Sequence, residues 1–295
     1  MLSWLDANLV SILNGVAIGF LLFILAIGLS LIFGMMDVLN LGHGALFLAG
    51  GYLAWAVGGS DPGWGGFLAA IALAAVAGLV CGGALAGMVE PLRRRGHLDQ
   101  ALLTLGVALV VAELLAMLFG RDVRAVNPPP GLDRTVLVLG EPYPVYRLVL
   151  IAAGAGLAVV THLVVERTTV GALVRATVAD REMVSAIGVD NRRVRFAVLG
   201  LGSLAAAVAG VLGAPIYGAR PGLDATVLIL ALVVVVIGGL GSVRGALIGA
   251  LLIGQIESLG RALLADAASF ILFGALAIVL IVRPQGLFAG PGARS

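Results

Sequence analysis

The chain has 295 residues, of which 61% are hydrophobic and 12% charged, and it carries a net charge of +2. Because a soluble domain has about 25% charged residues, this composition excludes a soluble globular protein and predicts a polytopic helical membrane protein. The small net charge gives no indication of nucleic-acid binding, and a single cysteine, Cys81, excludes a disulfide framework or a cysteine metal cluster.

Nine apolar runs are predicted as membrane-spanning helices, since a span needs about 20 mostly apolar residues. They cover residues 9–34, 42–58, 65–89, 99–120, 146–165, 195–217, 225–240, 243–264 and 267–283. The second and seventh runs are short, and eight spans are expected if 225–264 contains a re-entrant element. We expect an all-α transmembrane bundle of about eight or nine spans with broken or re-entrant segments, forming one domain over 1–295. No basic region precedes the first run, which favours a retained helix over a secretory signal.

The arginines predict the orientation, because cytoplasmic loops carry an excess of basic residues. If the chain has nine spans, one side of the membrane carries about twice as many arginines as the other. The arginines on the richer side are those of 93–95 and 167–195, together with Arg244, Arg283 and Arg294. This pattern predicts an N-terminus outside and a C-terminus in the cytoplasm. A proline-rich loop of about 121–145 is then external, either as a rigid cap or as a merely solvated connection.

Residues 34–44, GMMDVLNLGHG, place polar side chains between two apolar runs. The arginine pattern makes this segment a turn on the cytoplasmic side, which either caps a broken helix or lines the inner mouth of a pathway. We interpret Asn40 and His43, before Gly44, as capping groups at a helix start, and we expect Asp37 to meet water or a partner chain. A metal-binding role for His43 is disfavoured because the other two histidines are not placed to join it.

Two carboxylates lie inside apolar runs, where each costs about 2.5–3.5 kcal/mol on insertion. We expect Glu113 to face protein or water, either along a pathway or in a structural hydrogen bond to a neighbouring helix. Glu257 lies four residues before Arg261, and this spacing favours an ion pair on one helix face.

Glycines crowd one late segment, which predicts either a broken helix pair at the pathway or a tight cytoplasmic hairpin with close helix packing. The residues of this segment are Gly238, Gly239, Gly241, Ser242, Gly245 and Gly249. Like 34–44, it joins a short apolar helix to a glycine-bracketed turn, which suggests an internal repeat of the kind that transporters carry.

The loop of about 166–194 is predicted to form a pair of short amphipathic helices outside the membrane. Asp180 fits an N-cap with Glu182 in the first turn, and Gly188 fits a helix stop. Such a pair can lie on lipid or dock into a groove on a soluble partner, and its carboxylates disfavour an anionic lipid surface.

Three stretches resemble the permeases of ABC importers of the branched-chain amino acid type. RATVADREMVSAIGVDNRRVR resembles the coupling loop of that family, and residues 183–185 depart from the family pattern. NLGHGALFLAGGYLA (40–54) is similar to its Asn-x-x-His-Gly segment, and VVVVIGGLGSVRGALIGALLIGQIES (233–258) to its Gly-Gly-x-Gly-Ser-x-x-Gly-Ala segment. The resemblance covers nearly the whole chain. The coupling residues that it implies are Arg175, Ala176, Asp180, Glu182, Ala186 and Gly188.

The resemblance implies a type II-like permease fold in the bacterial inner membrane. The chain would be a non-catalytic subunit without a cofactor, forming half of a pathway for branched-chain or related amino acids. Its implied partners are a second permease subunit, often a different chain, two cytoplasmic ATPases that bind ATP, and an extracytoplasmic substrate-binding protein. In agreement, the chain has no G-x-x-x-x-G-K-[ST] motif and no lysine.

Other functions stay open from the residues alone. A permease of this kind could instead carry urea or short amides. An autonomous secondary transporter or channel would explain the broken helices and buried carboxylates, but not the helix pair in the 166–194 loop. A membrane enzyme is disfavoured, because the sequence has no nucleophile–base or metal constellation.

Overall fold

The computed structural model describes residues 2–36, 40–94, 96–179, 181–186, 188–283 and 286–288. These residues form helices with one short hairpin between them. The helices are α1 (Leu2–Met36), α2 (His43–Gly58), α3 (Trp64–Val89), α4 (His97–Phe119), α5 (Val145–Arg167), α6 (Thr169–Ala179), α7 (Arg181–Ala186), α8 (Asn191–Tyr217), α9 (Leu223–Gly238), α10 (Val243–Leu263) and α11 (Ala268–Val282). The strands are β1 (Thr135–Val138) and β2 (Glu141–Pro144), and 3-10 turns cover Glu90–Arg94 and Ala265–Ala267.

All nine apolar runs that were predicted as spans are helical, and the polytopic helical fold is confirmed. Within the part of the chain that the structure describes, six helices are long and apolar enough to cross a membrane, namely α1, α3, α4, α5, α8 and α10. The helices α2 and α9 have 16 residues each, which corresponds to about 24 Å. A hydrocarbon core is about 30 Å thick, so neither helix crosses it alone as a straight segment.

The connections between helices gather at two ends of the bundle. At one end, here the hairpin end, the loop before α5 meets the α2–α3 and α8–α9 connections: Asn127 N donates to Ser60 O at 2.7 Å, and Arg124 forms a β-bridge with Ala219. At the other end, here the loop end, Arg244 at the start of α10 pairs with Glu166 at the end of α5, at 3.3 Å. The α6–α7 segment follows α5 at this loop end.

The core forms around α1, which packs against α8, α9 and α10. Its middle turns, Leu21–Leu29, are buried. On the α10 side, Gln255 Nε2 donates to Ile12 O at 2.9 Å and Ser258 Oγ to Ser11 O at 2.6 Å. In contrast, α4 and α5 expose most of their apolar side chains, which suits helices that face lipid acyl chains.

The loop between α4 and α5 carries the one strand pair found in the described residues. The two strands pair antiparallel in the register Thr135 with Pro144 and Val138 with Glu141. Leu139 and Gly140 form the two-residue turn with φ of 51° and 95°, as a type I′ hairpin requires. The prolines predicted extended segments here, and the strand pair gives those segments a fixed register.

The loop between α5 and α8 forms the two short helices α6 and α7, at the positions where the sequence predicts a helix pair. The N-cap predicted at Asp180 lies outside the described residues. A cap that the pattern did not predict lies further on: Asp190 Oδ1 accepts from Arg192 N at 2.9 Å and from Arg193 N at 3.3 Å. This carboxylate begins α8 and gives the loop a defined end.

Candidate functional site

The segment that leads into α2 lies inside the bundle. His43 Nε2 is 2.9 Å from the carbonyl oxygen of Leu25, which lies three turns, or about 16 Å, before the end of α1. Leu41 N donates to Thr104 Oγ1 on α4 at 3.1 Å. The prediction of a turn at the cytoplasmic side is therefore wrong for residues 40–43: the chain re-enters the bundle, and α2 begins at depth.

Side chains satisfy the backbone of this re-entrant turn. Asn40 Oδ1 accepts from Gly42 N at 3.1 Å, and His43 N donates to Asn40 O at 3.2 Å. Since Nε2 of His43 faces a carbonyl oxygen, it carries the hydrogen and donates. Such partners are required, because unpaired backbone groups at membrane depth cost several kcal/mol each, about as much as a lost hydrogen bond in apolar solvent. The helix α2 begins after Gly42 without a side-chain cap hydrogen bond. Asn40 Oδ1 therefore serves the turn before the helix, and His43 donates to α1, while Asp37 lies outside the described residues.

Two polar atoms of the turn are buried and unsatisfied. Asn40 Nδ2 and His43 Nδ1 have no hydrogen-bond partner among the residues that the structure describes. Both side chains are at most 1% exposed. These two atoms are therefore available to hydrogen-bond with another group inside the bundle.

The N-terminal ends of α2 and α9 meet inside the bundle. A Cβ at Gly44 would overlap the carbonyl oxygen of Asp224, in the first turn of α9, and would lie 2.9 Å from Cβ of Leu228. The helix α9 begins after Gly222, whose φ of 86° is left-handed. Helix N-termini carry partial positive charge, and short helices that end at membrane depth are typical of substrate and ion sites in transporters.

Asp224 is a residue of this crossing that the sequence reasoning missed. Its half-buried carboxylate stands in the first turn of α9, where a negative charge is favourable. The signal was present as the run Pro221-Gly222-Leu223-Asp224, a glycine stop followed by an acidic first turn. The predicted run began at 225 and excluded it.

The helix α2 is held against α8 by glycines on both sides. A Cβ at Gly50 would overlap the carbonyl of Ala207, and one at Gly210 would overlap the carbonyl of Phe47. The two backbones are thus in direct contact, as small residues allow between membrane helices. The crossing of α2 and α9 is consequently attached to α8.

The late glycine cluster forms a tight hairpin between α9 and α10 at the loop end. Gly239 and Gly241 have φ of 99° and 76°, which leads the chain round the turn. Ser242 Oγ accepts from Gly245 N at 3.0 Å and begins α10. Gly238 and Gly245 touch through their backbones, and Gly249 lies against Val234 O. Of the two arrangements that the sequence left open, this geometry is the hairpin with close packing.

The hairpin is joined to two other parts of the chain. Gly241 lies against Gly34 near the end of α1. Leu287 N and Phe288 N donate to the carbonyls of Ile237 and Gly238, at 2.8 and 3.1 Å, and so satisfy the last turn of α9.

The two intramembrane carboxylates have different surroundings. The side chain of Glu113 is 50% exposed and pairs with Arg121 at 2.6 Å, so it faces away from the α2–α9 crossing. Glu257 is buried and pairs with Arg261, the partner that the spacing suggested. Neither carboxylate is brought to the crossing.

The residues that the resemblance implies for coupling lie in and around α6 and α7. Ala176 and Ala186 are exposed, and Gly188 is exposed with a φ of 87°. Arg175 is half-buried, and its Nη1 atom has no partner among the described residues. Asp180 and the side chain of Glu182 lie outside the described part of the chain.

No group of three or more His, Cys, Asp or Glu is placed to hold a metal ion in the part of the chain that the structure describes. The candidate site is the crossing of the short helices α2 and α9, with Asn40, His43 and Asp224 near their N-terminal ends.

Comparison with known proteins identifies the family of the chain. Residues 11–281 match the family model described as branched-chain amino acid transport system, permease component. The high-affinity branched-chain amino acid transport system permease protein LivH of Escherichia coli K12 is 28% identical over 298 residues, covering 94% of each chain. The corresponding protein BraD of Pseudomonas aeruginosa is 28% identical over 296 residues and 95% of each chain.

No solved structure matches the chain significantly. The family model spans nearly all of the predicted and observed helices, and the relatives match end to end. The chain is a multi-pass membrane protein and belongs to the family of branched-chain amino acid transport system permeases, the non-catalytic transmembrane components of ABC transporters.

Proposed function

We propose that this chain forms half of the translocation pathway of an ATP-driven importer for branched-chain or related amino acids. The observation that carries the proposal is the meeting of α2 and α9 inside the bundle, in a chain of this permease family. The relatives are named as high-affinity branched-chain amino acid permeases, which supports that substrate class over urea or short amides.

The α2–α9 crossing is the part of the pathway that this chain would contribute. Asn40, His43 and Asp224 provide polar groups there, and Nδ2 of Asn40 and Nδ1 of His43 have no hydrogen-bond partner among the described residues. Because Gly44 touches the Asp224 backbone, the two helix ends are in direct contact and hold these polar groups close together.

The partners are inferred from the family, which is described as the permease component of a transport system, and the sequence has no nucleotide-binding motif of its own. A second permease subunit completes the pathway, two ATPases bind ATP at the cytoplasmic side, and an extracytoplasmic binding protein delivers the substrate. The loop of 166–194 docks on the ATPase, with Arg175, Ala176, Asp180, Glu182, Ala186 and Gly188 at or near the contact. ATP binding then moves this loop and, through it, the helices.

In the proposed orientation the chain lies in a bacterial inner membrane, with its N-terminus outside and its C-terminus in the cytoplasm. Support comes from the loop end, where Arg192, Arg193 and Arg244 lie together with the α6–α7 segment. An excess of arginine at one end is the usual mark of the cytoplasmic side. The hairpin end and the loop of 121–145 are then external.

Charge reversal in the loop tests the proposed docking. The chain is purified together with its ATPase and second permease subunit, in the natural form and with Asp180→Arg and Glu182→Arg. We expect the double variant to bind at least tenfold less ATPase than the natural chain. The control variant Asp133→Arg, at the hairpin end, is expected to bind as much ATPase as the natural chain. Equal ATPase binding by the natural and double-variant chains would show that this loop is not the docking element.

A further inference from the structure

An ion pair joins the second turn of α8 to the end of α3. Arg195 Nη2 donates to Glu90 Oε1 at 2.7 Å and to Oε2 at 2.9 Å, and its Nε donates to Oε2 at 3.2 Å. Glu90 is the first residue of the 3-10 turn after α3. The two residues are 105 positions apart in the chain, and no function assigned above uses them.

This pair differs from its neighbours at the loop end by its burial. The side chains of Arg195 and Glu90 are 5% and 28% exposed. For Arg244 and Glu166 the values are 64% and 40%, and for Arg193 and Asp190 they are 89% and 52%. Exposed pairs of that kind contribute little to stability.

Burial of the guanidinium is costly, so the pair is a poor device for stability alone. What it does provide is geometry. The planar guanidinium meets the carboxylate with two nitrogens, which fixes both the distance and the angle between the two chain segments. A lysine would keep the charge but would lose that angular constraint.

Beyond the pair, α3 and α8 touch through their backbones. A Cβ at Gly82 would lie 2.7 Å from Leu199 O, and a Cβ at Gly78 would lie 2.7 Å from the Cα of Leu204. Further along α8, Ala207 and Gly210 contact α2. The two helices therefore form a close-packed unit that runs from the 166–194 loop to the α2–α9 crossing.

We propose that Glu90 and Arg195 form a clamp that makes α3 and α8 move as one body when the 166–194 loop is displaced. The clamp lies where the chain leaves that loop, so a pull on the loop acts on α8 directly and on α3 through the ion pair. Without the clamp, α8 moves alone, and part of the displacement is lost before it reaches α2. This inference rests on the proposed function, since it assumes that an ATPase moves the loop.

The transporter reconstituted in proteoliposomes tests the clamp through the ratio of leucine transported to ATP hydrolysed. Glu90→Gln is expected to lower this ratio at least tenfold while ATPase binding stays within twofold of the natural protein. The swapped pair Glu90→Arg with Arg195→Glu is expected to recover the ratio to within about threefold. Arg244→Gln, which removes an exposed pair at the same end, is the matched control and leaves the ratio unchanged.

A gentler substitution and a crosslink keep the test decisive if Glu90→Gln or the swap does not fold. Arg195→Lys retains the charge and is expected to lower the ratio at least threefold. In a Cys81→Ala background, Glu90→Cys with Arg195→Cys is expected to be uncoupled when reduced and coupled again after treatment with a short, rigid bifunctional maleimide.

The outcomes separate the clamp from the proposed function. A natural transporter without ATP-driven uptake would remove the proposed function itself. If uptake is ATP-driven but Glu90→Gln leaves the ratio of leucine transported to ATP hydrolysed unchanged, the clamp alone is overturned. Arg195→Lys is used for this comparison if Glu90→Gln does not fold. A reduced ratio that neither the swap nor the crosslink restores would also overturn the clamp.

Discussion

At the scale of single residues, His43 has two possible roles, as a structural donor to Leu25 O or as a group of the pathway. The geometry favours the first, since Nε2 is 2.9 Å from that carbonyl and the ring is fully buried. The unsatisfied Nδ1 atom leaves room for the second. If the role is structural, a substitution of His43 lowers stability and leaves uptake per folded transporter nearly unchanged. If His43 belongs to the pathway, a substitution lowers uptake at unchanged stability.

His43→Phe removes the donor and keeps a ring of similar size. We expect a loss of about 0.5–1.5 kcal/mol in the free energy of unfolding, the usual net value of one hydrogen bond. Thermal unfolding in detergent measures this loss, with His162→Phe on α5 as the matched control. We expect leucine uptake per folded transporter to stay within about threefold of the natural protein. A large loss of uptake at unchanged stability would instead make His43 a pathway residue.

Some residue contacts could be predicted from the sequence because they are local. Glu257 and Arg261 lie one helical turn apart, and the structure pairs them. Glu90 and Arg195 could not be paired in this way, because nothing local joins residues 105 positions apart. The partners of Leu41 and His43 were hidden for the same reason: Thr104 and Leu25 belong to helices whose relative placement depends on the whole bundle.

At the scale of helices, hydropathy predicted the first and last residues of most of the apolar helices well. It did not predict how deep in the bundle a helix begins. The run 225–240 corresponds to α9 at 223–238, and 42–58 to α2 at 43–58. Hydropathy is a sum over side chains and does not record where along its neighbours a helix begins. The re-entrant start of α2 follows instead from hydrogen bonds to α1 and α4, which no property of the segment itself contains.

Two adjacent glycines of α3 test the close packing with α8. A Cβ at Gly82 would lie 2.7 Å from Leu199 O and 2.8 Å from Gly200 Cα, whereas a Cβ at Gly83 meets nothing within 4 Å. We expect Gly82→Ala to lower the free energy of unfolding by about 1–3 kcal/mol, as overpacking does. Gly83→Ala should leave it unchanged or slightly raised, because alanine is the better helix former by about 1 kcal/mol. Equal effects in thermal unfolding would contradict the α3–α8 contact.

At the scale of the whole molecule, composition and arginine placement were sufficient for the fold class and for a proposed orientation. The arginines of α8 and α10 lie at the same end of the bundle as the α6–α7 segment, as their grouping in the sequence requires. The hairpin at the opposite end was not predicted, because prolines at both flanks concealed the strand pattern of Thr135–Val138.

Single cysteines in a Cys81→Ala background test the orientation. Leu139→Cys, at the hairpin tip, replaces a side chain that is 85% exposed, and Met183→Cys in α7 replaces one that is 63% exposed. We expect a membrane-impermeant maleimide to label the first in intact spheroplasts and the second only after the membrane is opened. The reverse pattern would place the N-terminus in the cytoplasm.

The central claim is that this chain passes branched-chain amino acids only when a separate ATPase moves it. Uptake of labelled leucine into proteoliposomes tests it most directly, with the chain, its second permease subunit, the ATPases and the binding protein all present. We predict leucine uptake that requires ATP hydrolysis, that stops when the binding protein or the ATPase is omitted, and that exceeds urea uptake at least tenfold. Leucine uptake by this chain alone and without ATP, or ATP-driven uptake of urea in preference to leucine, would contradict the account.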